Sequence, residues 1–313
     1  YYLSQQPGGI TEALPVLGAL ALGAQRMLPA LQQGYAAWSS IVGDQASLLD
    51  TLNLLDQPLP KELLEAPPAP LAFSHSIDFK NVFFRYVSDG PLILNGLDLK
   101  IPKGSRVGFV GITGSGKSTA LDLLMGLLSP TEGEVQVDGK SLEGSRSRAW
   151  QRAIAHVPQA IYLSDASIAE NIAFGIPKEL IDFERVKSAA QKAQISDFIE
   201  KSAGGYNTDV GERGVRLSGG QRQRIGIARA LYKEASVLIF DEATSALDNS
   251  TEQSVMEAIE GLDKDLTIII IAHRLTTVKH CDFILELQHG KVLHQGSYDQ
   301  LLDRSPSFSK MTK

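Results

Sequence analysis

An α/β fold, doubly wound around a mostly parallel sheet, is what three stretches of this 313-residue sequence predict. Gly111-Ile-Thr-Gly-Ser-Gly-Lys-Ser118 lies between a short apolar run, residues 106–110, and an apolar helical pattern, residues 120–128. Strand, glycine loop and helix follow in the order that a phosphate-binding loop requires. Residues 236–240 and 267–272 are continuous apolar runs rich in β-branched side chains. Such runs read as parallel strands covered on both faces, and their alternation with helices gives the doubly wound core.

The N-terminal residues 1–65 differ in kind from this core. Residues 13–24 are uncharged and apolar, bounded by Glu12 and by Gln25-Arg26. A run of that length makes about 18 Å of helix, short of the roughly 20 residues that cross a bilayer. Alone it reads as a buried or interfacial helix, although polar flanks are tolerated where they face the interior of a membrane bundle. From Met27 to Leu55, apolar Leu28, Leu31, Tyr35, Trp38, Ile41 and Val42 recur at spacings that put them on one helix face. The expectation is one long helix running out of an apolar zone into water. The chain starts Tyr1-Tyr2 without a methionine, which suggests a piece of a longer protein. Pro58, Pro60, Pro67, Pro68 and Pro70 stiffen the next stretch. Residues 66–74 are read as linker, with a domain boundary near residue 72, and residues 75–313 as the second domain.

Strand-like runs open that domain at residues 77–86, 92–94 and 97–101, with Gly90-Pro91 and Asn95-Gly96 read as hairpin turns. They predict an antiparallel β subdomain. After the glycine loop, the pattern predicts a helix stopped by Ser129-Pro130, then a strand at residues 133–139. Residues 165–235 are mostly helical by pattern, and the helical subdomain is placed at about residues 160–232. The formal charge of −6 offers no electrostatic footprint for nucleic acid. Cys281 is the single cysteine, so an internal disulfide is excluded, in keeping with a reducing cytosolic setting.

Three constellations carry chemistry. In the glycine loop, the absence of Cβ atoms lets successive N–H groups face phosphate oxygens, and the following helix adds its positive dipole end. Lys117 has the reach for the β/γ-phosphates, and the Ser118 hydroxyl suits Mg²⁺. Leu238-Ile-Phe-Asp241-Glu242 ends an apolar strand in two acids at the sheet edge where ligands bind. Asp241 suits the outer shell of a metal, and Glu242 suits a base that polarises water. Leu217-Ser-Gly-Gly-Gln221, ahead of a helix, makes a second anion site.

In that order the three resemble the nucleotide-binding domain of an ABC transporter, over residues 75–305. The fold implied is a P-loop NTPase core of ABC ATPase type, with antiparallel β and helical subdomains behind the long N-terminal helix. The resemblance implies that Thr113, Gly114, Ser115, Gly116, Lys117, Ser118 and Thr119 hold the phosphates of ATP. It places Tyr86, 25 residues before Gly111, as the aromatic that stacks on adenine. Gln159 matches the residue that meets Mg²⁺ and the attacking water, so Ser118, Gln159 and Asp241 form the metal set. Asp248, in Ser245-Ala-Leu-Asp248, matches a loop at the nucleotide interface, and His273 the histidine near the γ-phosphate. Ser218, Gly219, Gly220 and Gln221 would close the ATP of a second copy or a paralogous domain in a head-to-tail dimer.

Thr208-Asp-Val-Gly-Glu-Arg-Gly214 resembles the loop of exporter-type members that touches the membrane domain. That resemblance implies that residues 1–65 are the end of the last transmembrane helix and its cytosolic extension, and that the partners are the chain's own transmembrane domain and the membrane, with no nucleic acid. The implied location is the inner or plasma membrane, with this domain on the cytoplasmic side. About five further hydrophobic spans are expected ahead of the chain. Ala24-Gln-Arg-Met-Leu-Pro29 is similar to lipid-linked oligosaccharide flippases, against drug or peptide exporters as the alternative. A nucleotide-gated clamp with little turnover and a soluble ABC ATPase are the readings from other classes.

Overall fold

The computed structural model describes residues 9–58, 66–241, 248–262, 265–272 and 275–311. The chain divides into two compact units, residues 1–65 and 66–313.

Among its described residues the first unit forms one helix, α1 (Gly9–Leu55), with Pro15 and Pro29 inside it. Residues 13–55 are long and apolar enough to cross a membrane, and none of the window is buried. Leu28, Leu31, Tyr35, Trp38, Ile41 and Val42 are all exposed. The apolar run of residues 13–24 is thus part of one long helix, as its continuation through residues 27–55 predicts.

The second unit contains two sheets. In the antiparallel sheet, β1 (Ser76–Phe84) pairs with β2 (Leu94–Pro102) and with β4 (Glu132–Val137), which carries β5 (Lys140–Ser141) at the edge. The second sheet has the order β10-β9-β3-β8-β7-β6. Its members are β3 (Arg106–Val110), β6 (Ile154–Val157), β7 (Val237–Asp241), β8 (Thr267–Ile271), β9 (Phe283–Gln288) and β10 (Lys291–Gly296). Every pairing in it is parallel except that of β9 with β10.

The helices are α2 (Lys117–Leu124), α3 (Gly144–Ala153), α4 (Ile168–Ile172), α5 (Phe183–Lys192), α6 (Ser196–Lys201), α7 (Gly219–Tyr232), α8 (Asn249–Glu260), α9 (Tyr298–Arg304) and α10 (Pro306–Met311). Side chains alternate across a strand, and β7 and β8 divide accordingly. Leu238, Phe240, Ile268 and Ile270 join a core shared with α4, α5 and α7. Val237, Ile239, Ile269 and Ile271 join another, shared with the antiparallel sheet and α2. Both faces are covered, as parallel strands require.

Two local expectations are corrected. Asn95-Gly96 is no hairpin turn, because both residues lie inside β2. Val82 pairs with Leu97 and Phe83 with Asn95, leaving Gly96 as an extra residue at φ 67°. That is a bulge built on a left-handed glycine. The helix after the glycine loop ends at Leu124 rather than at Ser129-Pro130. Gly126 turns left-handed at φ 66°, and Leu127 N–H donates to Asp122 O at 2.9 Å, so a glycine C-cap stops it.

Residues 71–76 are fastened to the second unit. Leu71 N–H donates to Ala149 O at 2.9 Å. Phe73 is buried edge-on against Trp150, ring centres 5.5 Å apart, and Trp150 Nε1 donates to Leu124 O at 2.7 Å. The Asp138 carboxylate accepts from the N–H groups of Ser74, His75 and Ser76 at 2.8, 2.7 and 3.1 Å.

Candidate functional site

The glycine loop leaves β3 and re-enters regular structure at α2. Gly111, Gly114 and Gly116 have φ of 148°, 80° and 102°, a region L side chains avoid. Space adds a second constraint at the first and last of them. A Cβ on Gly111 would lie 2.3 Å from Leu287 O, and one on Gly116 2.8 Å from Leu94 Cδ2. At Gly114 nothing lies within 4 Å, so the loop faces open space there. Gly290, in the β9–β10 turn, donates its N–H to Ser115 O at 3.1 Å and accepts from Asn95 N–H at 3.1 Å. The loop is thereby pinned to both sheets.

Helix α2 has Gly116 as its N-cap, with no side-chain hydrogen bond there. Its first N–H groups are left to an anion. Lys117 is 6% exposed, and its ammonium donates to Gly111 O at 2.8 Å and Ile112 O at 3.1 Å, so it lies back across its own loop. Ser115 Oγ is buried with no partner among the described residues. A loop with open space at Gly114, an uncapped helix start and an inward ammonium fits a bound polyphosphate. Thr113 and Ser118 are exposed. Tyr86 is also exposed, its ring edge-on to Phe84 at 5.0 Å. Its hydroxyl lies 3.2 Å from Thr119 Oγ1, which holds the aromatic beside the first turn of α2.

Strand register assembles the rest of the edge. Ile271 of β8 pairs with Phe109 of β3 on one side and with Asp241 of β7 on the other. Val157 of β6 pairs with Phe240. The C-terminal ends of four adjacent strands thus stand level with the start of the glycine loop. Asp241 is half-buried at this edge. Glu242, Ser245, Ala246, Leu247 and His273 lie outside the described residues. Gln159 follows β6 and lines a cavity of about 250 Å³ with Ala160, Ile161, Gly219, Arg222 and Gln223.

Ser218 caps α7. Its Oγ accepts from Gln221 N–H at 3.2 Å, and its own N–H donates to Gln221 Oε1 at 2.8 Å, a reciprocal capping box. Gly219 and Gly220 form the first turn behind it. Arg222 Nη1 donates to Leu217 O at 2.8 Å and fixes the approach. Asp248 accepts from Ser250 Oγ at 2.5 Å and its carbonyl accepts from Glu252 N–H at 2.8 Å. It lies near Arg224, whose guanidinium pKa is pushed down by burial, with Asp248 opposing the shift.

Sequence reasoning missed Asn171 and Arg229. Fully buried Asn171 donates from Nδ2 to Ser164 O and Ser167 O, both at 3.0 Å. Arg229 donates to Asn171 O at 2.9 Å and Tyr162 O at 3.0 Å and stacks over Phe174 at 4.5 Å. Together they tie the segment after Gln159 to α7. The available signal was an amide inside the apolar run Ile168-Ala-Glu-Asn-Ile-Ala173; a buried amide must find partners.

A family profile described as ABC transporter matches residues 94–245. The ATP-dependent lipid A-core flippase of Chromohalobacter salexigens is 39% identical over 262 residues, 84% of this chain and 45% of that protein. The leukotoxin translocation ATP-binding protein LktB of Mannheimia glucosida is 47% identical over 229 residues, 73% of this chain and 32% of that protein. Among solved structures, a bacterial Atm1-family ABC exporter with ATP bound superimposes with a TM-score of 0.76 at 38% identity, covering 88% of this chain and 47% of that one. The chain spans less than half the length of each of these relatives.

Proposed function

The chain carries an ABC transporter ATPase domain of exporter form and through it belongs to that family; from this premise we propose that it is the motor half of a membrane exporter or flippase. Domains of this family bind ATP, generally with Mg²⁺. In our reading two copies, or this chain and a paralogous domain, meet head to tail. ATP on the Lys117 loop of one is then closed by Ser218, Gly219, Gly220 and Gln221 of the other.

Each residue has its part. The N–H groups of residues 113–119 and the Lys117 ammonium neutralise phosphate charge, with Tyr86 flanking the base. Ser118, Gln159 and Asp241 would hold Mg²⁺, which would supply positive charge against the phosphates. Glu242 orients the attacking water, His273 steadies the γ-phosphate, and Asp248 lies at the dimer seam. Most of the acceleration then comes from positioning and electrostatics. The observation that supports this reading is one chain with two glycine-rich helix starts, the uncapped one at α2 and the Ser218-capped turn before α7. One nucleotide per chain needs only the first.

The membrane is the inner or plasma membrane, with the ATPase on its cytoplasmic side and α1 ending the membrane domain. A lipid or lipid-linked oligosaccharide is the cargo class that residues 24–29 and the flippase relative support. The test is Glu242→Gln. The variant should form an ATP-stabilised dimer by light scattering and release almost no phosphate. A variant that stays monomeric with ATP and hydrolyses it normally sinks the proposal.

A further inference from the structure

The cavity between Gln159 and Gly219 contains a group that none of the roles above uses. Gln223 is 2% exposed, lines that cavity, and its Nε2 has no acceptor among the described residues. A side-chain amide offers two N–H donors, and native interiors seldom leave one unpaired. At about 250 Å³ the space holds several waters of roughly 30 Å³ each, or a repositioned side chain.

The surrounding packing is directional. Gly219, Gln223 and Gly226 recur at spacings of four and three and so share one face of α7. At Gly226 a Cβ would stand 2.5 Å from Ile161 Cδ1, so Ile161 rests on bare helix backbone. The segment that carries Gln159 is thereby seated along the same face whose first turn begins at Ser218.

We infer that Gln223 is a positioning residue. Its amide donates across the cavity, directly or through water, to the segment of residues 159–161. It thereby sets Gln159 and the Ser218–Gly219 turn in one geometry. This rests on the proposed head-to-tail motor, in which Gln159 serves the ATP of its own subunit and Ser218–Gly219 closes that of the partner. Gln223 then couples the two pockets.

The test is ATP hydrolysis by the full chain in detergent, for wild type, Gln223→Met, Gln159→Ala and the double variant. Met keeps length and helix propensity and removes the donor. Wild type should hydrolyse ATP with a Hill coefficient approaching the limit of two set by two sites. Gln223→Met should lower kcat roughly tenfold with ATP affinity unchanged and bring the Hill coefficient to about 1. The double variant should be no slower than Gln159→Ala alone, because both changes break one connection. Losses that multiply, or a Gln223→Met enzyme with wild-type kcat and cooperativity, overturn the inference. If Gln223→Met does not fold, Gln223→Asn, which shortens the donor's reach by one methylene, should give the same loss. A wild type without ATP turnover would instead remove the motor reading itself.

Discussion

At the level of single residues, the glycine loop combines positions fixed by backbone and positions fixed by charge. Gly111 has both a left-handed φ of 148° and a carbonyl 2.3 Å from where a Cβ would stand. Gly111→Ala should therefore lower stability by roughly 1–3 kcal/mol, the cost of overpacking, as well as abolish nucleotide binding. Chemical unfolding and equilibrium ATP binding would read the two effects separately. Lys117 is different. Its ammonium donates to carbonyls of its own loop, Gly111 O and Ile112 O. Lys117→Ala should keep the fold by circular dichroism and cut ATP turnover by roughly 10²–10³-fold, as losing an electrostatic donor in an active site does. A protein that turns over ATP normally without this ammonium would remove Lys117 from the site.

Between residues and the molecule stand the elements, whose ends are set by caps and clamps. Ser218 Oγ takes one N–H at the start of α7; Ser218→Ala should cost about 1 kcal/mol of stability, read as a lower urea midpoint. Asp138 clamps the entry to β1. Partial burial works to raise its pKa, but the N–H groups of Ser74, His75 and Ser76 outweigh it and hold the carboxyl below its ordinary value. With the folded pKa the lower one, its contribution is complete above the ordinary value near 3.9 and is lost as pH falls through the folded pKa. Asp138→Asn should flatten that limb of the acid-unfolding curve. Elements were legible in the sequence where signal and structure are both local, as in the glycine loop and the β-branched runs of β7 and β8. Asn95-Gly96 misled because a left-handed glycine serves a bulge as well as a turn, and only pairing with β1 decides between them. The helix stop was misplaced because Gly126 acts three residues before the more conspicuous Ser-Pro pair. The contacts of Tyr86 with Thr119 and of Asn171 with Arg229 join residues 33 and 58 apart. No local pattern encodes such pairs.

For the whole molecule, the two units differ in what completes them. Residues 66–313 bury a core on both faces of a parallel sheet, and a domain of that kind folds by itself. Helix α1 buries none of its candidate membrane span. Its 47 residues extend about 70 Å at 1.5 Å per residue, more than twice the roughly 30 Å of hydrocarbon in a bilayer. Lipid can cover part of such a helix, and protein or water must meet the rest. Large apolar side chains such as Leu17, Leu20, Trp38 and Ile41 stand exposed along it, and continuous apolar surface of this extent drives association in water. A protein of residues 66–313 alone should therefore be soluble without detergent and unfold cooperatively. If two copies share each pocket as proposed, it should hydrolyse ATP at a rate that rises with the square of its concentration when dilute. The full chain should sediment with membranes, withstand extraction by carbonate and be released by detergent. Linear concentration dependence would place a complete active site in one copy. Release of the full chain by carbonate alone would place α1 on a protein surface instead of in lipid.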